Sequence, residues 1–216
     1  KGEYTRINLE GKKEDGTDVH SINQAALRFN HRKFAKTFFY GMIYGSGPLK
    51  CGQMVLDDMS VEERRAYTTE RDVKRLGEEA KERLMDGLPA LRELTEDIKR
   101  VVKSRKYLLS LDKSHLQVRK EHAAPNALFQ SAGAVVMKRA ALILEEKCLD
   151  AGWEFGKEWA LVGWIHDEFQ LEVDEDKAEL IGKMAADSIK EAGDYYGFLC
   201  PFAGNYSVGL NWAQTH

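Results

Sequence analysis

Several things are scarce in this sequence, and each scarcity narrows what the chain can be. Cysteine is rare: Cys51, Cys148 and Cys200 are scattered, odd in number and without metal-ligand spacing, which excludes a cysteine-based metal module. They fit buried or idle thiols in a reducing cytoplasm. No run of about 18 apolar residues is present, so no membrane-spanning helix is expected. The opening stretch KGEYTRINLEGKKEDGTD lacks the apolar centre of a signal peptide. Internal repeats and low-complexity segments are absent. Excess charge is lacking too: the formal net charge of −3 argues neither for nor against a nucleic-acid partner.

What is there is unevenly distributed. At 216 residues and 43% hydrophobic, the chain has material for one large domain or two small ones. Eight Lys or Arg fall between Lys99 and Lys120, with Asp112 as the one acid inside. From Asp167 to Glu191 acids outnumber bases. A basic stretch can follow a phosphate backbone and an acidic one can hold a divalent cation. Both are equally at home as solvated helix faces.

Residues 1–18, punctuated by Gly11 and Gly16, read as a mobile lead-in. Short helices are expected over 20–29 and 32–44, the second stopped by Gly45-Ser46-Gly47-Pro48. Residues 51–59 form a short apolar segment, and Ser60-Val61-Glu62-Glu63 has the form of a capping box. Charged helices follow over 62–85 and 91–102, then a hairpin over 107–118 turning near Asp112-Lys113-Ser114. A long helix over 125–151 is apolar around much of its circumference, and so is expected to be central and buried, with Gly152 as its stop. Two β-rich runs, 160–165 and 169–173, flank His166-Asp167-Glu168. An amphipathic helix over 177–195 and a last strand over 206–212 complete an α+β chain, mostly helical for its first 150 residues.

The stretch RKFAKTFFYGMIYGSG carries the clearest chemistry. Arg32, Lys36, Tyr40 and Tyr44 recur at four-residue steps, so a helix of about 3.6 residues per turn holds them on one face. Phe34, Phe38, Phe39, Met42 and Ile43 supply a separate apolar face for docking. Two cations followed by aromatic rings suit a ligand with a charged tail and a flat head, such as a nucleoside triphosphate. A basic amphipathic surface helix is the alternative.

At the hairpin turn, adjacent carboxylates of Asp167 and Glu168 offer hard oxygen donors of the kind Mg²⁺ takes alongside phosphate oxygens. A two-metal site needs carboxylates from more than one segment, so this turn supplies one side. Acidic turn residues are also common without any ligand. Asn126 and Gln130, four apart on the long helix, can reach minor-groove acceptors that every base pair presents, or simply bond neighbouring backbone. His20, following Asp18-Val19, stands at a helix start; the four tryptophans read as core.

Together these pieces resemble the C-terminal part of the family A DNA polymerases, the bacterial DNA polymerase I type, with a look nearest to the replicative polymerases of short-tailed phages. The family's nucleotide-binding helix, R-x-x-x-K-x-x-x-[F/Y]-x-x-x-Y-G, is matched by Arg32, Lys36, Tyr40, Tyr44 and Gly45. Its H-D-E palm motif is matched by His166-Asp167-Glu168, and its duplex-contacting helix by NALFQSAGA with Asn126 and Gln130. Asp18-Val19-His20 matches its phosphate-contacting histidine, and the ending from Asn211-Trp212-Ala213 to His216 is similar as well.

The resemblance implies a mostly helical fingers subdomain over 20–106 after a lead-in over 1–19. A C-terminal palm part with a small antiparallel sheet follows over 107–216. It implies that His20, Arg32 and Lys36 contact the dNTP phosphates, with Lys36 protonating the pyrophosphate. Tyr40 would lie against the sugar, and Tyr44 and Gly45 at the templating base. Asp167 and Glu168 would bind Mg²⁺ in a two-metal site, with His166 near the primer end. Asn126, Gln130 and Gly45 would touch primer-template DNA.

Two departures qualify this. Leu111-Asp112-Lys113-Ser114 lacks the usual D-G-R, and residues 1–19 hold no counterpart of the family's first metal motif. That carboxylate, with the thumb, is therefore expected from an N-terminal polymerase fragment or subunit, in the cytoplasm of a host cell if a phage encodes the chain. A noncatalytic DNA- or nucleotide-binding module is the competing reading. A single-subunit RNA polymerase fragment is a more distant one, since those enzymes place Met where Tyr40 stands.

Overall fold

The computed structural model of the chain describes residues 2–215; His216, part of the family-like ending, lies outside them. Helices dominate, with two small two-stranded sheets, so the fold is α+β. The chain divides into two compact units. One runs through Leu108 and adds His115–Leu128; the other takes Leu109–Ser114 and everything from Phe129 onward. Residues 115–128 thus join the first unit, where the sequence groups them with the palm.

In the first unit, α1 (Glu3–Glu10) and α2 (Val19–Leu27) precede α3 (Arg32–Ile43). The lead-in is therefore not irregular. Tyr4 packs against the unit's core, and Thr17 closes the following loop by hydrogen bonds with Lys12. Next come α4 (Pro48–Asp58), α5 (Val61–Arg64), α6 (Glu70–Asp86) and α7 (Pro89–Arg105). The segment expected to be only short and apolar is thus helical, with Pro48 in the first turn, where the missing N–H costs nothing. The expected single helix over 62–85 is two, because both Ser60 and Thr69 form capping boxes, with Glu63 and Asp72.

A core of Leu27, Phe38, Cys51, Val55, Leu76 and Leu84, among others, joins α2, α3, α4 and α6. α4 and α6 cross at glycine. A Cβ on Gly77 would stand 2.1 Å from the Pro48 carbonyl, and one on Gly52 would stand 1.9 Å from that of Val73.

The strands β1 (Tyr107–Leu109) and β2 (His115–Gln117) form the expected hairpin, turning at Lys113 with φ 66°. The long helix α8 (Ala124–Asp150) follows, and Gly152 at φ 78° ends the run. By length and composition α8 could cross a membrane. Part of it packs in the core of the second unit: Val136, Ala140 and Ile143 pack with Ala192, and Leu144 and Cys148 pack with Trp159 and Ile181. Burial pushes the Cys148 thiol up to about 11. The helix is not buried all round, however, for Leu142 and Leu149 are exposed.

In the second unit β3 (Trp159–Ile165) and β4 (Glu168–Val173) pair antiparallel, from Trp159↔Val173 to Ile165↔Glu168, with a bulge between Leu161 and Gly163. Helix α9 (Ala178–Tyr195) and the short α10 (Trp212–Thr215) complete the chain. The expected strand over 206–212 does not form. Tyr206 lies against Gly182 of α9, where a Cβ would come 2.3 Å from its ring, and its hydroxyl donates to Glu179 at 3.0 Å. Side-chain packing on a helix takes the place of a strand ladder.

Candidate nucleotide and metal site

Helix α3 has two faces. Ala35, Phe38 and Met42 are buried, with Phe34, Phe39 and Ile43 packed beside them. Burying these rings fixes the rotation of the helix and turns Arg32, Lys36 and Tyr40 the other way. The start of α3 is pinned by a residue that the pattern does not reveal. Buried Asp58, at the end of α4, accepts from the backbone N–H groups of Asn30 at 2.5 Å and His31 at 2.9 Å, and lies 2.9 Å from the His31 ring.

Arg32 is held at its base. Its Nε donates to Asp18 Oδ1 at 3.1 Å and its Nη2 to Oδ2 at 2.5 Å. The same carboxylate caps α2, accepting from His20 N–H at 3.1 Å and from the Ser21 hydroxyl at 2.5 Å. The Arg32 guanidinium therefore holds the Asp18 carboxyl well below the usual carboxylate range, with Ser21 and His20 assisting against partial desolvation.

One turn on, Lys36 is exposed and has no ion-pair partner among the described residues. His20 stands beside this face, its ring 5.5 Å from that of Tyr40 and 6.3 Å from that of Phe39. Burial lowers its pKa, and the neighbouring charges of Arg32 and Lys36 add to this while Asp18 opposes. The imidazole is thus kept neutral next to two fixed cations. Its Nδ1 is buried and meets no hydrogen-bond partner among the described residues, so the ring is placed by packing.

Tyr40 and Tyr44 stack at 6.3 Å between centroids and 21° between planes, both largely exposed. Tyr44 closes the helix, and Gly45 turns the chain at φ 84°, a conformation that glycine adopts without strain. A Cβ there would lie 3.9 Å from Cβ of Asn126, so the end of α3 and the start of α8 are neighbours. Asn126 Oδ1 is buried and lacks a hydrogen-bond partner among the described residues; Gln130, a turn further along α8, is exposed. His20, Arg32, Lys36, Tyr40, Tyr44, Gly45 and Asn126 thus all belong to the first unit.

The eight Lys and Arg residues of the basic stretch are all exposed, and Arg100, paired with Asp97 at 2.7 Å, is the one that is ion-paired among the described residues.

The second unit presents the other group. Ile165 pairs with Glu168, so the turn proper is His166-Asp167 and Glu168 opens β4. His166 has φ 56°, a region that costs an ordinary side chain roughly 1–2 kcal/mol. The turn is tied back by the Trp164 indole N–H, which donates to the His166 carbonyl at 3.2 Å, and Trp164 meets Phe169 edge-on at 5.0 Å. Asp167 is exposed, and the Glu168 carboxylate accepts from the Gln170 amide. Strain of this kind at a non-glycine turn persists where the surroundings impose it, and it concentrates at functional sites. Both carboxylates are hard oxygen donors on a braced turn, a donor type that fits Mg²⁺. Among the described residues no three His, Cys, Asp or Glu side chains gather as a metal cluster.

The family resemblance read from the sequence is borne out by comparison with known proteins. The profile of DNA polymerase family A matches residues 13–214. The chain belongs to this family. It is 32% identical to the DNA-directed DNA polymerase of Escherichia phage T7 over all of its length and 30% of that protein's. It matches the enzyme of Enterobacteria phage T3 at the same identity and coverage. Among solved structures it resembles the polymerase domain of Pol1 from M. smegmatis, a complex with DNA primer-template and dNTP. The TM-score there is 0.64 at 17% identity, over 88% of this chain and 32% of the other, so the likeness concerns the fold. The chain spans about a third of the length of these family members.

Asp18 and Asp58 are the site residues that sequence reasoning passed over. Asp18 had a signal, an Asp two residues before the helix-starting His20; Asp58 had none, since its partners lie 27 and 28 positions away.

Proposed function

We propose that this chain is the fingers and C-terminal palm portion of a template-directed DNA polymerase that adds dNTPs to a primer 3′ end. The observation that carries the proposal is the division of α3. Its apolar face is buried while Arg32, Lys36 and Tyr40 share the other face, with His20 alongside.

In this reading Arg32 and Lys36 take the triphosphate and neutral His20 adds a hydrogen bond. Tyr40 lies against the sugar, and Tyr44 with Gly45 borders the templating base. Asn126 and Gln130 contact the duplex, and the exposed basic stretch follows its backbone. Asp167 and Glu168 would hold Mg²⁺, whose chemistry is charge stabilisation on the reacting phosphate and the attacking oxygen. The primer 3′-hydroxyl gives up its proton to solvent as its oxygen attacks the α-phosphorus, the bond from that phosphorus to the bridging oxygen breaks, and pyrophosphate leaves. Lys36 gives the departing pyrophosphate a proton. His166 faces the primer end.

The carboxylate of the family's first metal motif is supplied from outside residues 1–216, by an N-terminal polymerase portion. Primer extension by residues 1–216 with and without a polypeptide carrying that portion tests this. Synthesis with dNTPs, only in its presence, is expected. Robust synthesis by residues 1–216 alone, or no rescue by any such polypeptide, would overturn this reading. Preference for ribonucleotides would overturn the assignment to DNA synthesis.

A further inference from the structure

We propose that Asp18 is a positioning residue for nucleotide binding, holding the Arg32 guanidinium so that its remaining donors face the triphosphate. This rests on the reading of the α3 face as the nucleotide site. The carboxylate is fully engaged: Oδ1 accepts from Ser21 Oγ and Arg32 Nε, and Oδ2 from His20 N–H and Arg32 Nη2. Arg32 is not used up by this. A guanidinium carries five N–H donors in a fixed plane. Asp18 takes one on Nε and one on Nη2, leaving the second hydrogen of Nη2 and both of Nη1. Fixing one edge of a rigid plane fixes the direction of the other edge.

Asp18 also sets His20, because it caps the helix on which that ring is the second residue. A single carboxylate thus registers two groups assigned to phosphate, one through a charged fork and one through backbone. The side chains of Asp18 and Arg32 are only 12% and 29% exposed, so the pair is shielded from the competition with water that weakens surface ion pairs.

A carboxylate this near an anion would otherwise be a liability, and two opposite roles make opposite forecasts. If Asp18 merely competed with the triphosphate for Arg32, neutralising it would tighten nucleotide binding. If it positions Arg32, neutralising it weakens binding. Asp18→Asn separates positioning from capping. Asparagine is as good an N-cap as aspartate, so α2 keeps its start. Its amide nitrogen, however, would face Arg32 donor to donor and break the fork.

The test uses a polymerase that contains this sequence together with the family's first metal motif, and reads KM for dNTP, kcat and melting temperature. Wild type, Asp18→Asn, Arg32→Ala and the double variant are compared. Asp18→Asn is expected to raise KM about tenfold, with kcat falling less than about threefold, at a temperature below the melting point of every variant, since losing the ion pair lowers that point. In the Arg32→Ala background it should add almost nothing, since there is no guanidinium left to place. Asp18→Ser, which caps but cannot form the fork, should match Asp18→Asn. A KM at or below wild type in Asp18→Asn, or an equal factor in both backgrounds, overturns the proposal. Arg32→Ala with an unchanged KM overturns the nucleotide-site reading beneath it, and the role of Asp18 with it.

Discussion

Lys36 and His20 share one side of α3 but differ in charge, and the difference has measurable consequences. Lys36 is exposed, which suits both phosphate binding and proton donation. Replacing it by Ala in the assembled polymerase should lower kcat by about 10²–10⁴, the usual worth of a general acid, in single-turnover incorporation. His20 is neutral because burial and the adjacent cations lower its pKa. Between the ordinary histidine value and the lower folded one, the unfolded chain binds a proton that the folded chain refuses. Stability should therefore fall on acidification from about pH 6.5 downward. Urea melts at pH 7 and pH 5.5 should show the loss, and His20→Gln should reduce its pH dependence. The α3 face was legible in the sequence because a four-residue step is a local property. The Asp18 fork and the Asp58 anchor were not, because each depends on two helices meeting.

At the scale of elements, the first unit depends on the α4–α6 crossing. With the Gly77 Cα close against the Pro48 carbonyl, even a methyl group has no room. Gly77→Ala should destabilise the unit by about 1–3 kcal/mol or more, read as a lower denaturation midpoint. Thr69→Ala, which removes the cap that starts α6, should cost about 1 kcal/mol. Gly77 does not announce this role in sequence, where it sits inside a helical pattern.

Helix α4 escaped for a related reason: a short apolar run such as 51–59 has no period of its own to separate strand from helix. Residues 206–212 failed in the opposite direction. β-rich composition predicts a strand, but a strand needs a ladder, and Tyr206 packs on α9 instead. The β3–β4 hairpin was legible because two β-rich runs bracketed a short polar turn, although Glu168 proved to belong to the strand.

For the whole molecule, family membership, the α3 face and the exposed basic side chains support the proposal that it binds duplex DNA and a nucleotide. Affinity for primer-template DNA should fall steeply with salt. Replacing Lys103, Arg105 and Lys106 together by Ala should reduce the log–log salt slope by about 2–3, the release expected from three phosphate contacts.

The central proposal is that Asp167 and Glu168 contribute metal-binding carboxylates to the active site of a DNA polymerase. The most direct test is primer extension by the completed polymerase carrying Asp167→Ala, titrated with Mg²⁺. The account predicts that DNA binding is retained while extension is abolished or reduced by several orders of magnitude at every Mg²⁺ concentration. Extension equal to wild type would contradict it, leaving a module that binds DNA or nucleotide without taking part in the chemistry.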